Sequence, residues 1–336
     1  MSKVLVIPDM HGSHNWEKAK EIIKEHPDWY AVCLGDWVDS GIYDRKIKAW
    51  RSNNKWPDQG ENLKASLEWC REDPEHRKWC IGNHDWSYLS ATREGMYVSG
   101  HQSEHGREIS AILNAYKDVI LIAAEIDGWV FSHAGFTKTW INSMKHQLHI
   151  MKDKWPEEDD GKSIIWDESV YNINFLNSVL KSVTHIPGDP DTSLGFDELL
   201  DWHGYMSSSG NEICQGPLWI RPEALLRDAA YPKQVVGHTE LCMGEPVFLE
   251  GKEGKVIIVD SREHDLLYVL DTEKDDGYYM TYMNYNRVSK HIDKALNTIL
   301  SQKLTDEDAI KNELMNGGVK KEQLDSYLKL LKEFYG

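Results

Sequence analysis

At 336 residues, 40% of them hydrophobic, the chain is long enough to bury a sizeable core as one large domain or two smaller ones. A formal net charge of −17 with no basic run argues against nucleic acid as a partner, and no apolar run approaches the ~20 residues of a membrane span. The five cysteines are irregularly spaced and the N-terminus enters a strand at once, so a soluble cytoplasmic protein with free thiols is expected.

Residues 3–8 form a continuous apolar run, the pattern of a strand covered on both faces, and Asp9-Met10-His11-Gly12 follows as a turn. Asn15 can cap a helix reaching about residue 26, with Trp16, Ala19, Ile22 and Ile23 on one face. A second strand over 29–34 ends at Gly35-Asp36, which makes a β-α-β unit with parallel strands and a right-handed crossover. The polar stretch 40–58 reads as a surface loop with a short helix. A helix over 61–70 and a third strand over 77–81 lead into Gly82-Asn83-His84-Asp85.

A helix over 104–116 and a strand over 119–124 precede a hairpin through Asp127-Gly128 into residues 129–132. From about 150 to 216 acidic and Pro/Gly-rich breaks mark an insertion of helices and loops that rims a site. Short strands over 234–236, 246–249, 255–259, 266–270 and 278–283 form a second group of sheet elements. Thr305 with Asp308 reads as a capping box, Gly317-Gly318 stops that helix, and residues 320–335 form a last amphipathic helix. Its apolar face, Leu324, Tyr327, Leu328, Leu331 and Phe334, is expected to dock on the body. The tryptophans and tyrosines, 14 and 15 in number, are expected to fill the core rather than to line a groove.

Five strands end in a Gly-containing turn that carries Asp, Asn or His. The turns are Pro8-Asp9-Met10-His11-Gly12, Gly35-Asp36-Trp37-Val38-Asp39, Gly82-Asn83-His84-Asp85, Ser132-His133-Ala134-Gly135 and Gly237-His238-Thr239. Strand-end turns are where an α/β scaffold usually builds its site. Oxygen and imidazole donors suit Mn, Fe, Zn or Mg rather than thiophilic metals. A carboxylate such as that of Asp36 can hold two cations at the ~3.5–4 Å separation of two-metal hydrolases. A lone Asp or His in a turn is ordinarily a cap; five such turns in one chain reverse that weighting. His101 and His105, four apart on a predicted helix with no associated Glu, are read as packing residues.

These segments resemble the calcineurin-like metallophosphoesterase family, most closely its phosphoprotein phosphatase branch. The resemblance spans residues 9–239 and implies a four-layer α/β/β/α fold, two packed sheets flanked by helices. It implies a catalytic domain over 1–285, with the insertion at about 150–216, and a helical extension over 286–336. Two divalent metal ions are implied, manganese first, with iron, zinc or magnesium as alternatives. Asp9 and His11 would hold the first and Asp36 would bridge. Asn83, His133 and His238 would complete the second. His84 matches the family's general acid and Asp39 its hydrogen-bonding partner. Asp260 falls where the family carries a core strand ending in Asp, and Arg221 is assigned to phosphate binding.

The chain departs from the pattern at Ser40, where the phosphatase branch carries a phosphate-clamping Arg that a hydroxyl does not replace. Either Arg221, Arg45 or Arg51 compensates, or the substrate bears less charge at that position. Glu240 stands where other branches carry a second His, leaving the first metal with fewer protein ligands. The expected reaction is hydrolysis of a phosphomonoester by metal-bridging hydroxide, with phosphoserine or phosphothreonine proteins as leading substrates. Hydrolysis of a dinucleoside polyphosphate or other nucleotide is the rival. A scaffold that has lost catalysis is the contrasting class, and the six apparent ligands together with His84 count against it.

Overall fold

In the computed structural model the first apolar run becomes β1 (Lys3–Ile7), with Val4, Leu5, Val6 and Ile7 all buried. The structure describes residues 2–14, 16–39, 41–44, 49–52, 58–89, 98, 100–102, 104–152, 172–183, 211–240, 246–260, 266–281 and 306–316. After β1 come α1 (Trp16–Glu25), β2 (Tyr30–Cys33), the strands β3 (Gly41–Asp44) and β4 (Ala49–Ser52), α2 (Gln59–Glu72) and β5 (Arg77–Cys80). Next are α3 (Asn83–Leu89), α4 (Gly106–Ala115), β6 (Ile120–Leu121), β7 (Ala123–Ile126), β8 (Trp129–Ser132), α5 (Lys138–Lys152) and α6 (Ile173–Val183). The chain continues through α7 (Pro222–Arg227), β9 (Lys233–Val236), β10 (Val247–Glu250), β11 (Lys255–Ile258), β12 (Leu266–Asp271), β13 (Asp276–Thr281) and α8 (Glu307–Asn316).

Two sheets carry the fold. In the first, ordered β13-β12-β1-β2-β5-β6, the strands from β1 to β6 run parallel and β12 and β13 pair antiparallel beyond β1. The second, ordered β10-β11-β9-β8-β7, has a parallel centre of β11, β9 and β8 and antiparallel edges. Strand side chains alternate between faces, so β1 serves two cores at once. Val4 and Val6 face a cluster shared with Phe131, Val235 and Ile257 of the second sheet. Leu5 and Ile7 join Trp16 and Ile22 of α1 and Leu63 and Leu67 of α2. On the far side, Val236, Val256 and Ile258 pack on Leu225 of α7. The layering is the expected α/β/β/α.

Trp16, Trp37, Trp79, Trp86, Trp129 and Trp140 are among the largest fully buried side chains, which bears out their reading as core. Trp37, from the second motif turn, meets Trp16 edge-on at 5.7 Å and stacks on Trp79 at 6.0 Å. The turn is thus anchored from below by aromatic packing.

Four sequence expectations are corrected. Part of the 40–58 stretch forms an antiparallel hairpin, β3 with β4, running from Gly41↔Ser52 to Asp44↔Ala49; Ile42, Tyr43 and Trp50 are good strand formers whatever their polar neighbours. The strand expected over 119–124 splits at Ile122: β6 pairs with β5 in the first sheet and β7 with β8 in the second. The backbone groups freed at this crossing are met by Asn177 of α6. Its Oδ1 accepts from Ile122 N at 2.8 Å, and its Nδ2 donates to the Ala123 carbonyl at 3.0 Å. β12 and β13 return to the first sheet instead of joining the second, because parallel crossovers extend β1 on one side and leave its other edge open. Finally, α8 is capped by Asp306, whose Oδ1 accepts from Ala309 N at 2.8 Å.

Asn15, Thr305, Gly317, Gly318 and the helix expected over 320–335 lie outside the described residues, as does most of the insertion over 150–216. Among the described helices none is long and apolar enough to cross a membrane. Within the C-terminal segment, Leu314 of α8 is fully buried in the inter-sheet cluster, with Ile310 packed against it. Leu314→Ala is therefore expected to destabilise the whole protein by about 2–5 kcal/mol, read from the urea midpoint at unchanged slope.

Candidate metal centre

The motif turns are tied to one another by their backbones. Met10 N and His11 N both donate to the Asp36 carbonyl, at 3.0 and 2.7 Å, and Gly12 N donates to that of Trp37 at 2.7 Å. Gly237 N donates to the His133 carbonyl at 2.8 Å, and His238 N to Asp9 Oδ2 at 3.0 Å. Asp85 joins the second and third turns: its Oδ1 accepts from Trp37 N at 2.8 Å and its Oδ2 from Gly82 N at 3.0 Å. Burial and the neighbouring Asp36 push the Asp85 carboxyl up to about 8.

The fit is tight enough to demand glycine at two places. A Cβ on Gly82 would lie 2.1 Å from Asp36 Oδ1, and one on Gly237 would lie 2.1 Å from Asp9 Oδ1. Six described non-glycine residues have positive φ, and four are site residues: His11 (45°), Asp36 (51°), Asp39 (67°) and His238 (59°). Left-handed backbone at Asp and His is uncommon and persists where surrounding structure imposes it.

Asp36 lies at the centre. Its Oδ2 is 3.7 Å from His11 Nε2 and 3.9 Å from His84 Nε2, while its Oδ1 is 3.6 Å from His133 Nε2 and accepts from His84 N at 2.9 Å. Burial alone would raise its pKa, yet the imidazoles of His133, His84, His11 and His238 hold it well below the usual carboxylate range. Burial pushes His133 and His238 downward, toward the neutral form in which an imidazole ligates a metal.

Neighbouring carbonyls assign the tautomers. His133 Nδ1 lies 2.9 Å from the Leu34 carbonyl, which can only accept, so a neutral ring that donates there carries its lone pair on Nε2. That lone pair faces Asn83 Oδ1 at 2.8 Å, His238 Nδ1 at 3.1 Å and Asp36 Oδ1 at 3.6 Å. His11 Nδ1 lies 3.2 Å from the Val38 carbonyl, so a neutral His11 ring turns its Nε2 lone pair toward Asp36 Oδ2. Acceptors therefore converge on acceptors, an arrangement that a cation between them satisfies. Among the described residues two donor groups can hold an ion, His11-Asp36-His84 and Asp36-His133-His238, and Asp36 is common to both. His238 Nε2 is buried with no hydrogen-bond partner, a polar atom left unsatisfied by the protein itself. The residues present fit a pair of divalent cations sharing Asp36.

His84 differs from the other imidazoles. Its Nδ1 lies 3.1 Å from Asp39 Oδ2, so a carboxylate holds one side of the ring while Nε2 faces the cluster. The ring meets His11 edge-on at 4.8 Å. Asp9 is buried beside the second group, its Oδ1 4.0 Å from His133 Nδ1. Arg221 is half-buried at the N-cap of α7, its Nη1 donating to the His238 carbonyl at 2.8 Å and to Thr239 Oγ1 at 3.2 Å. Burial lowers its pKa, while Asp260, Asp9 and Asp36 favour its charged form.

All six expected ligands, with His84 and Asp39, thus come together. Ser40 and Arg45, and the side chain of Arg51, lie outside the described residues, and Glu240 is exposed. His101 and His105 both precede α4 instead of sharing a helix; His101 stacks on Tyr88 at 4.3 Å and His105 is the N-cap residue. Sequence reasoning gave no role to Asp85 or Tyr88. Tyr88 follows His84 by one helical turn on α3, a spacing that was the available signal.

The model of the calcineurin-like phosphoesterase family matches residues 2–239. No curated protein matches the chain. Among solved structures, a cold-active protein tyrosine phosphatase aligns with 86% of this chain and 78% of its own, at 16% identity and a TM-score of 0.50. A protein serine/threonine phosphatase from Saccharomyces cerevisiae aligns over 80% and 72%, at 16% identity and TM-score 0.40. A metallophosphoesterase from Sphaerobacter thermophilus aligns over 94% and 99%, at 12% identity and TM-score 0.37. With the family's pattern matched over more than half its length, the chain belongs to the calcineurin-like phosphoesterases.

Proposed function

We propose that the protein is a dinuclear metal-dependent phosphatase acting on phosphomonoesters, with phosphoserine and phosphothreonine in proteins as its leading substrates. The observation that carries this reading is the buried Asp36 carboxylate, with His11 on one oxygen and His133 on the other. Divalent ions at such a site, manganese first, supply positive charge to the phosphoryl oxygens and make water a nucleophile near neutral pH. Asp9, His11 and Asp36 would hold one ion, and Asp36, Asn83, His133 and His238 the other.

The protein's own part in the chemistry falls to His84. As water adds to phosphorus and gives up a proton to solvent, the electrons of the breaking P–O bond pass to the leaving oxygen, which takes a proton from His84 Nε2. Asp39, on Nδ1, orients the ring and stabilises its protonated form. Arg221 stands beside the second donor group with one arm braced on the His238 turn, and the remainder of its guanidinium is the candidate phosphate contact. Cys33, Cys70, Cys80 and Cys214 are free thiols, which supports a reducing, cytoplasmic setting.

A second reading, hydrolysis of a nucleotide or dinucleoside polyphosphate, is favoured by Trp219, whose ring meets His238 edge-on at 5.9 Å and offers an aromatic surface beside the site. The deciding experiment compares phosphate release by Mn²⁺-loaded protein from a phosphothreonine peptide, a phosphotyrosine peptide and a dinucleoside tetraphosphate. Fastest turnover of the phosphothreonine peptide is expected. Preferential nucleotide products would move the assignment to the second reading.

Asp36→Asn is expected to lose both metal ions together in elemental analysis; one ion retained at full occupancy would remove Asp36 as the bridge. His84→Asn should keep metal content near wild type while turnover of the phosphothreonine peptide falls by roughly 10²–10⁴-fold. A loss confined to metal binding would instead make His84 a ligand of the first group.

A further inference from the structure

We propose that Tyr88 is a positioning residue for the reaction: by fixing Asp39 it sets the direction in which His84 presents its proton. This rests on the reading of His84 as general acid. Asp39 is 1% exposed and sits in left-handed backbone, with its N–H donated to Gln59 Oε1 at 2.8 Å. One carboxylate oxygen, Oδ2, faces His84 Nδ1; the other, Oδ1, accepts the Tyr88 hydroxyl hydrogen. The carboxylate is therefore held at both ends, and neither oxygen can turn without breaking a buried hydrogen bond.

Tyr88 is itself pinned. Its phenolic oxygen accepts Gln102 N–H at 2.9 Å, which leaves the hydroxyl hydrogen for Asp39. Its ring lies nearly parallel to that of His101, 4.3 Å away at 20°, and His101 Nδ1 lies 3.5 Å from Ser87 Oγ. Burial and the Asp39 charge raise the phenol well above its usual range, so it stays a neutral donor. Tyr88 and His84 stand one turn apart on α3, so helix, carboxylate and imidazole close a ring of contacts. The chain Gln102 N–H to Tyr88 to Asp39 to His84 runs inward from the segment preceding α4 to the donor cluster. A phenylalanine at 88 keeps the stack on His101 and removes the hydroxyl, with its hydrogen bond to Asp39 and the one it accepts from Gln102 N–H.

The test is a double-mutant cycle on the full chain reloaded with Mn²⁺. Tyr88→Phe should lower kcat for a phosphothreonine peptide by roughly 10-fold or more, as loss of an outer-shell partner typically does. KM and metal content should stay at wild-type values. An aryl phosphate whose phenol is acidic enough to leave unprotonated should be turned over at nearly the wild-type rate. In a His84→Asn background, the same substitution should have no further effect. In metal-free protein labelled with ¹⁵N-histidine, the His84 Nδ1–H resonance should be seen in wild type and lost to solvent exchange in Tyr88→Phe.

Equal losses in both backgrounds, or equal losses on both substrates, would overturn the inference while leaving the role of His84 intact. Wild-type peptide turnover by His84→Asn alone would overturn the reading beneath it as well.

Discussion

The structure depends on keeping one carboxylate charged in the interior. Asp36 is buried, and burial by itself disfavours the carboxylate form; the imidazoles around it reverse that preference. Everything that makes this arrangement tolerable is supplied by turns at strand ends. The turns of Asp9-His11 and Asp36-Asp39 share backbone hydrogen bonds, Asp85 ties the second to the third, and the fourth and fifth are joined through His133 and Gly237. A rigid frame matters because ligands displaced by a fraction of an ångström would meet as repelling acceptors rather than as a cation's coordination sphere.

The frame is rigid because of the layers beneath it. β1 lies in the interior of its sheet with both faces covered, and the second turn is anchored through Trp37 onto Trp16 and Trp79. The second sheet delivers His133 and His238 from its parallel centre, β8 and β9, next to the first sheet's Asp9 and Asp36. Packing two sheets face to face thus does two jobs: it buries the apolar faces and it brings strand ends from both sheets to one place. Left-handed backbone at His11, Asp36, Asp39 and His238 is the local cost of aiming so many side chains at one point.

The outer contacts grade from ligand to support. Carbonyls of Leu34 and Val38 assign the tautomers of His133 and His11. Asp39 holds His84, and Tyr88 holds Asp39. Arg221 braces the His238 turn while its charge is favoured by the same carboxylates that compose the site. Most of these polar groups are answered by another, while the buried His238 Nε2 is left without a hydrogen-bond partner from the protein.

The sequence by itself determined the strands that carry the motif turns, the parallel β-α-β start, and the identities of Asp9, His11, Asp36, Asn83, His84, His133 and His238. Those features are local: a short apolar run followed by Gly with Asp, Asn or His is readable within ten residues. It did not determine which edge β12 would join, the crossing between sheets at Ile122, or the hairpin of β3 and β4, because strand pairing is chosen by long-range competition among edges. Nor did it reveal the tautomers, since they are set by backbone carbonyls that every residue possesses and only tertiary structure places. The roles of Asp85 and Tyr88 belong to the same class: one carboxylate satisfies two turns far apart in sequence, and one phenol meets a carboxylate 49 positions away. Such partnerships are written in distances between chain segments, which only the folded chain fixes.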